Sequence, residues 1–243
     1  MPRIASHIAD VWETPERQRL ARQFLYGDLV EILEDRDDLS KIRRHSDSYE
    51  GWISKSEIAA GEDPTHFVRT FGALAFAEPD IKSPNPIRLP FHAALTGSLD
   101  DRYLKTPMGY VPLTHLSEDP IFADDPVEVA QKFLGVPYLW GGNTELGLDC
   151  SGLVQRAFAV CGIAIPADSG DQWQACTAIE TPSKGGLVFW KGHVALMADD
   201  ETLIHANAHH MAVAYEPLAD ALKRIEAAGD AFLGYGRVSR QTG

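Results

Sequence analysis

Three side chains in the second half of this 243-residue chain have the types and the order that acyl chemistry requires: Cys150, His193 and His205. A cysteine is a useful nucleophile only as the thiolate. Its pKa of about 8.5 falls to roughly 3.5–7.5 at a helix N-terminus or beside an imidazolium. Cys150 lies in "GLDCSGLVQRAFAVCG", a loop that runs into a helix with Val154, Ala157, Phe158 and Cys161 spaced for burial and Gly162 as its stop. With acidic Asp149 just before it, Cys150 falls in the first turn. Unpaired N–H groups there offer positive potential to the sulfur and later to an oxyanion. A lone cysteine is more often an inert, buried small hydrophobe, and Cys161 and Cys176 are read that way. The histidines set Cys150 apart. His193 opens "HVALMAD" and His205 sits inside "TLIHANA", where a strand's period of two puts it on one face with Leu203 and Asn207. Neighbouring strands could align the imidazoles, one beside the sulfur and the other orienting it, which is the logic of nucleophile, base and orienter.

A metal reading competes. His205, His209 and His210 are dense, and Cys150 could add a thiolate. The pair His205 and His209 shares a face only on a helix, whereas this segment alternates like a strand. No metal and no cofactor is expected.

The elements that must hold these groups divide the chain. Residues 22–60 read as all-β: "DLVEILEDR" alternates Leu29, Glu31 and Leu33 against Val30 and Ile32, and "DSYEGWISKSEI" ends in a turn and a short strand. Residues 65–117 repeat this texture. The ends of the two stretches are alike, Tyr49–Ile53 before Lys55–Ile58 and Gly109–Pro112 before Thr114–Leu116, as two diverged copies of one small barrel would be. Near Pro120 the texture changes. Asp125-Pro126 opens a helix that Gly135 closes, the Cys150 helix follows, and then come "GLVFW", "HVALMAD", "TLIHANA", "MAVAY" and "FLGYGRVS". Helices followed by consecutive strands predict an α+β domain with an antiparallel sheet.

Composition narrows the partners. The chain is 44% hydrophobic and 23% charged, with 35 acidic against 22 basic residues and a net charge of −13. DNA or an anionic membrane face would be repelled, so neither nucleic acid nor membrane is an expected partner. Three cysteines cannot all pair within one chain and fit a reducing compartment. The N-terminus has no apolar core of signal-peptide type, and no stretch reaches the length of a membrane span. Cytoplasmic residence is the expectation.

"VPYLWGGNTELGLDCSGLVQRAF", followed by "GHVALM" and "LIHAN", resembles the NlpC-type family of bacterial cell-wall cysteine peptidases, which have a papain-like fold. The family's Tyr-x-Trp-Gly-Gly and Asp-Cys-Ser-Gly pattern is carried by Tyr138, Trp140, Gly141, Gly142, Asp149, Cys150, Ser151 and Gly152, and the resemblance covers residues 121–243. "LYGDLVEIL…YEGWI" and "GYVPLTHL" resemble bacterial SH3-like modules, giving domains over 1–62, 63–120 and 121–243. Two such modules ahead of a catalytic domain are similar to the γ-D-glutamyl-L-diamino-acid endopeptidases (dipeptidyl-peptidase VI) that trim peptidoglycan peptides. The resemblance implies attack by Cys150, proton transfer by His193, orientation by His205, and an oxyanion site at the Cys150 N–H with the Tyr138 hydroxyl beside it. It further implies that Asp149 and Ser151 line the pocket for L-Ala-D-Glu. Tyr49 and Asp28, on the first module, would meet the substrate's amino terminus and close the cleft; relatives more often carry glutamate where Asp28 stands. A broader exported wall hydrolase, a non-catalytic peptide-binding module and acyl transfer to another amine are the competing functions.

Overall fold

Short apolar alternations turn the front of the chain into a series of small antiparallel sheets. The structure, a computed structural model, describes residues 1–239. It falls into two compact units, Met1–Phe122 and a second beginning at Ala123. In the first unit a five-stranded sheet runs in the order Leu20–Leu25, Ile8–Trp12, Glu50–Ser54, Leu39–Arg44, Val30–Arg36. Its inward residues Ala9, Val11, Phe24, Val30, Ile42 and Ile53 form one core with Ile4. A second cluster, including Val68, Leu89, Leu95, Leu104, Val111 and Leu116, lies among the shorter strands that follow.

Two details differ from the sequence reading. Strand structure begins at Pro2 and includes Ile8–Trp12, well before residue 22. The alternation through Ile32 breaks at a register shift between Ile32 and Glu34, which leaves Ile32 exposed. Such bulges put an extra residue on one strand, so a strict period of two fails there. The similar chain ends share a structural pattern. Glu50–Ser54 and Gly109–Pro112 each lead through a single 3₁₀ turn, Lys55–Glu57 and Leu113–His115, into another strand.

The second unit carries a six-stranded antiparallel sheet in the order Thr177–Ile179, Phe232–Arg237, Leu187–Trp190, His193–Met197, Thr202–Asn207, Ala212–Pro217. Helix α1, Pro126–Gln131, starts where expected: the Asp125 carboxylate accepts the Val127 N–H at 2.8 Å. The helix ends at Gln131, before the predicted stop, and a looser turn carries the chain to Gly135, whose φ is +81°. Helix α2, Cys150–Ala159, is buried along almost its whole length and packs against the His193–Met197 and Thr202–Asn207 strands. Two further helices escaped the sequence reading. Helix α3, Ser169–Ala175, sends fully buried Gln172 back to donate to the carbonyls of Ser151 and Pro166 at 3.1 and 2.9 Å, tying down the first turn of α2. Helix α4, Leu218–Ala227, packs Leu218, Ala221 and Ile225 onto Val188, Trp190, Ala195, Met197 and Leu203 of the sheet. Among the described residues no helix is long and apolar enough to cross a membrane.

Candidate active site

The loop before α2 is folded tightly onto the helix by contacts that leave no space for side chains. Tyr138 bridges to Leu148, the Asp149 N–H donates to the Gly142 carbonyl at 3.1 Å, and Gly141 has a φ of +71°. A Cβ on Gly152 would lie 2.4 Å from the Gly142 carbonyl oxygen, so the helix start and the loop approach this closely only with glycine at that position. Asp149 is the N-cap. Its carboxylate accepts the N–H groups of Gly152 and Gly141 at 2.6 and 3.0 Å and the Ser151 hydroxyl at 3.2 Å. The cap role of Asp149 and its place beside the nucleophile therefore coexist, and Ser151 is held by the same carboxylate.

Cys150 is the first residue of α2 and is buried. The half-buried Tyr138 hydroxyl is pushed up to about 12, first by burial and then by the nearby Cys150 and Asp149. It remains a protonated donor close to the sulfur. Cys176 differs: burial alone pushes its thiol up to about 11, so it stays a thiol at neutral pH.

The two histidines meet across adjacent strands, with His193 Nε2 and His205 Nδ1 2.9 Å apart. His193 is thus left with Nδ1 as the nitrogen for a thiol, on a strand against which α2 packs. His205 is fully buried, and Glu216 Oε2 lies 3.0 Å from its Nε2. That approach is close but bent, since Nε2 lacks a well-aligned acceptor. Arg224, on α4, grips the same carboxylate through two hydrogen bonds of 2.8 and 2.7 Å. Sequence reasoning did not find Glu216 or Arg224.

Burial, together with the charges of His205 and Arg224 and against the pull of Glu216, pushes His193 down to about 3. Burial lowers His205 as well, against its hydrogen bond and attraction to Glu216. For Glu216 burial works upward, but the bonds from Arg224 and His205 prevail and hold the carboxyl well below its ordinary range. The histidines are therefore neutral in the folded protein at pH 7, while an unfolded chain takes up protons below about pH 6.5. Stability contributed by these neutral imidazoles is present above 6.5 and is lost as pH falls toward 3. The thermal midpoint should fall over this window, and His193→Asn should flatten that fall; an unchanged slope in the variant would remove this account.

His205, His210 and Glu216 place ligand-type atoms within 4.8 Å of one another, a grouping other than the one the sequence suggested. These donors fit a metal poorly. His205 Nδ1 is committed to His193, His210 Nδ1 is 2.9 Å from Asn207 Oδ1, and the Arg224 guanidinium already places a cation 2.7 Å from Glu216 Oε2.

On the first unit, Asp28 and Tyr49 are joined through buried Arg44. Asp28 Oδ2 accepts the Leu25 N–H at 3.0 Å and lies 3.3 Å from Arg44 Nη1. Arg44 stacks over Phe24 and pairs with Asp47, whose carboxylate accepts the Tyr49 N–H. The Tyr49 ring packs edge-on against Phe24.

A buried cysteine at a helix start and a histidine pair on an adjoining sheet define a cysteine peptidase of α+β, papain-like fold, and comparison with known proteins agrees. Residues 135–224 match the NlpC/P60 family, and residues 11–58 match the bacterial dipeptidyl-peptidase Sh3 domain. The chain is similar to dipeptidyl-peptidase 6 of Lysinibacillus sphaericus, 27% identical over 84% of this chain and 86% of the relative. It is also similar to a gamma-D-glutamyl-L-lysine dipeptidyl-peptidase of Bacillus cereus, 26% identical over 86% of this chain and 73% of the relative. A solved NlpC/P60 family protein from Bacillus cereus has the same fold, with a TM-score of 0.82 over 98% of this chain and 99% of that one at 22% identity. The chain carries the NlpC/P60 cysteine-peptidase domain behind a bacterial dipeptidyl-peptidase Sh3 domain.

Proposed function

We propose that this enzyme hydrolyses the amide between the γ-carboxyl of D-Glu and a diamino acid in peptidoglycan-derived peptides, releasing L-Ala-D-Glu. The observation that carries the chemistry is the 2.9 Å contact of His193 with His205, on strands packed against the helix that Cys150 begins. The substrate class is supported by the relatives named for dipeptidyl-peptidase activity and by the matching Sh3 domain.

In this reading the Cys150 proton passes to His193 Nδ1 while Sγ bonds to the γ-carbonyl carbon. A neutral imidazole can accept that proton, and the new thiolate then stabilises the imidazolium beside it. The oxyanion meets the Cys150 N–H and the protonated Tyr138 hydroxyl. Collapse of the intermediate breaks the C–N bond, and His193 returns its proton to the departing amine. Water, deprotonated by His193, then cleaves the thioester and frees the new carboxyl. His205 holds the imidazole in place throughout, and Asp149 and Ser151 line the pocket for L-Ala-D-Glu.

The front half of the chain has a specificity role in this proposal. Residues 1–62 and 63–120 are two SH3-like modules, and Tyr49 and Asp28 of the first receive the ammonium of L-Ala together with Asp149. The substrates are then peptides already released from the wall, acted on in the cytoplasm. A carboxylate–ammonium contact in a partly desolvated pocket contributes about 1.5–3 kcal/mol. That corresponds to roughly ten- to a hundredfold in rate. Peptides with a free L-Ala amine should therefore be cut at least that much faster than N-acetylated or muramic-acid-linked ones. Tyr49→Phe and Asp28→Asn should narrow the gap by slowing the free-amine substrate. Equal rates on capped and free peptides would favour a broader wall hydrolase.

A further inference from the structure

We infer that Glu216, clamped by Arg224, is a positioning residue that fixes the tautomer of His205 and, through it, aims the lone pair of His193 at Cys150. The inference rests on the catalytic roles proposed above and adds two residues to them.

Register puts Glu216 within reach of His205. His205 pairs with Ala214 and Leu203 with Glu216, so on adjacent antiparallel strands the two side chains are diagonal neighbours on one face. The carboxylate is 8% exposed and the imidazole 0%, so water competes little with the contact. Glu216 cannot turn away freely, because Arg224 Nε and Nη2 bind its two oxygens separately in the bidentate manner that fixes a carboxylate's orientation.

Proton counting gives the consequence. For His193 Nδ1 to accept the thiol proton, the neutral ring must carry its hydrogen on Nε2. The 2.9 Å contact then requires an acceptor at His205 Nδ1. His205 must therefore carry its own hydrogen on Nε2, the nitrogen 3.0 Å from Glu216 Oε2. An ionised carboxylate only accepts, so it favours this tautomer over the one with a bare Nε2. Reversed polarity would put the hydrogen on His205 Nδ1, turn His193 Nε2 into the acceptor and leave Nδ1 protonated, unable to take the proton from Cys150. His210, with its Nδ1 on Asn207, also adjoins His205, but a neutral ring does not impose the preference of a charge.

The direct test is ¹⁵N NMR of histidine-labelled protein, which separates protonated from bare ring nitrogens. In the wild type at pH 7, His205 should show a protonated Nε2 and a bare Nδ1. A protonated Nδ1 there overturns the inference without any variant having to fold. Glu216→Gln keeps the volume but can both donate and accept, so it should give mixed tautomers. It should also slow iodoacetamide labelling of Cys150, followed by mass spectrometry, on the order of 10- to 100-fold, as loss of a histidine's outer partner commonly does. On the peptide substrate kcat should fall by a similar factor with KM unchanged. Wild-type labelling and kcat in a folded Glu216→Gln protein would contradict the inference, as would a loss confined to KM. Tautomer and labelling need no peptide. If they behave as stated while the peptide stays uncut, the substrate proposal fails and the inference stands.

Discussion

Cys150→Ala is expected to remove hydrolysis while leaving the protein folded. Losing the nucleophile of a triad-type site costs on the order of 10⁴- to 10⁶-fold in rate. Folding should survive because the features that shape this region lie around the sulfur: the Asp149 cap, the Gly142–Gly152 approach and the Gln172 tether. The substitution removes one buried sulfur from the first turn, which Asp149 caps from outside. Labelling supplies the complementary result. Iodoacetamide should reach Cys150 faster than Cys161 or Cys176, the last of which burial keeps as a thiol. Added chelator should change nothing. Normal turnover by the alanine variant would end the mechanism, and loss of activity on metal removal would return the metal reading to contention.

The second large effect separates the histidines. His193→Ala removes the group that takes and returns the proton and should cost roughly 10²- to 10⁴-fold in kcat. His205 only orients its neighbour, so His205→Asn or His205→Gln should retain partial activity, with losses of roughly 10- to 100-fold. An amide can still accept the hydrogen of His193 Nε2, though it receives a weaker directive from Glu216 than the imidazole does. Single-turnover kinetics on the three variants makes the comparison. Equal and complete loss in both His205 variants would mean that the chemistry needs the imidazole itself, its charge included, and not only the orienting bond.

The nucleophile's surroundings could be read from the sequence because they are contiguous. Tyr138 to Gly152 is one loop and one helix start, built from capping and close glycine contacts that act over a few residues. The histidines were legible as strand residues through local alternation. Glu216 was not, because its partnership with His205 follows from which strand lies beside Thr202–Asn207, and pairing is not a local property. Arg224 needed more still. Helix α4 carries Leu218, Ala221 and Ile225 at helical spacing, but the stretch was passed over as a link between "MAVAY" and "FLGYGRVS". Its basic residue acquires meaning only after the helix folds back and meets Glu216. On the first unit the turn character of Asp28 was legible from "LYGD", whereas its tie to buried Arg44 depends on a strand that begins eleven residues later.

Mass spectrometry of L-Ala-γ-D-Glu-diaminopimelate after incubation with the wild-type protein tests the central claim most directly. The account predicts L-Ala-D-Glu and free diaminopimelate as the products, with no product from Cys150→Ala. An intact peptide, or release of L-Ala in place of the dipeptide, would contradict it.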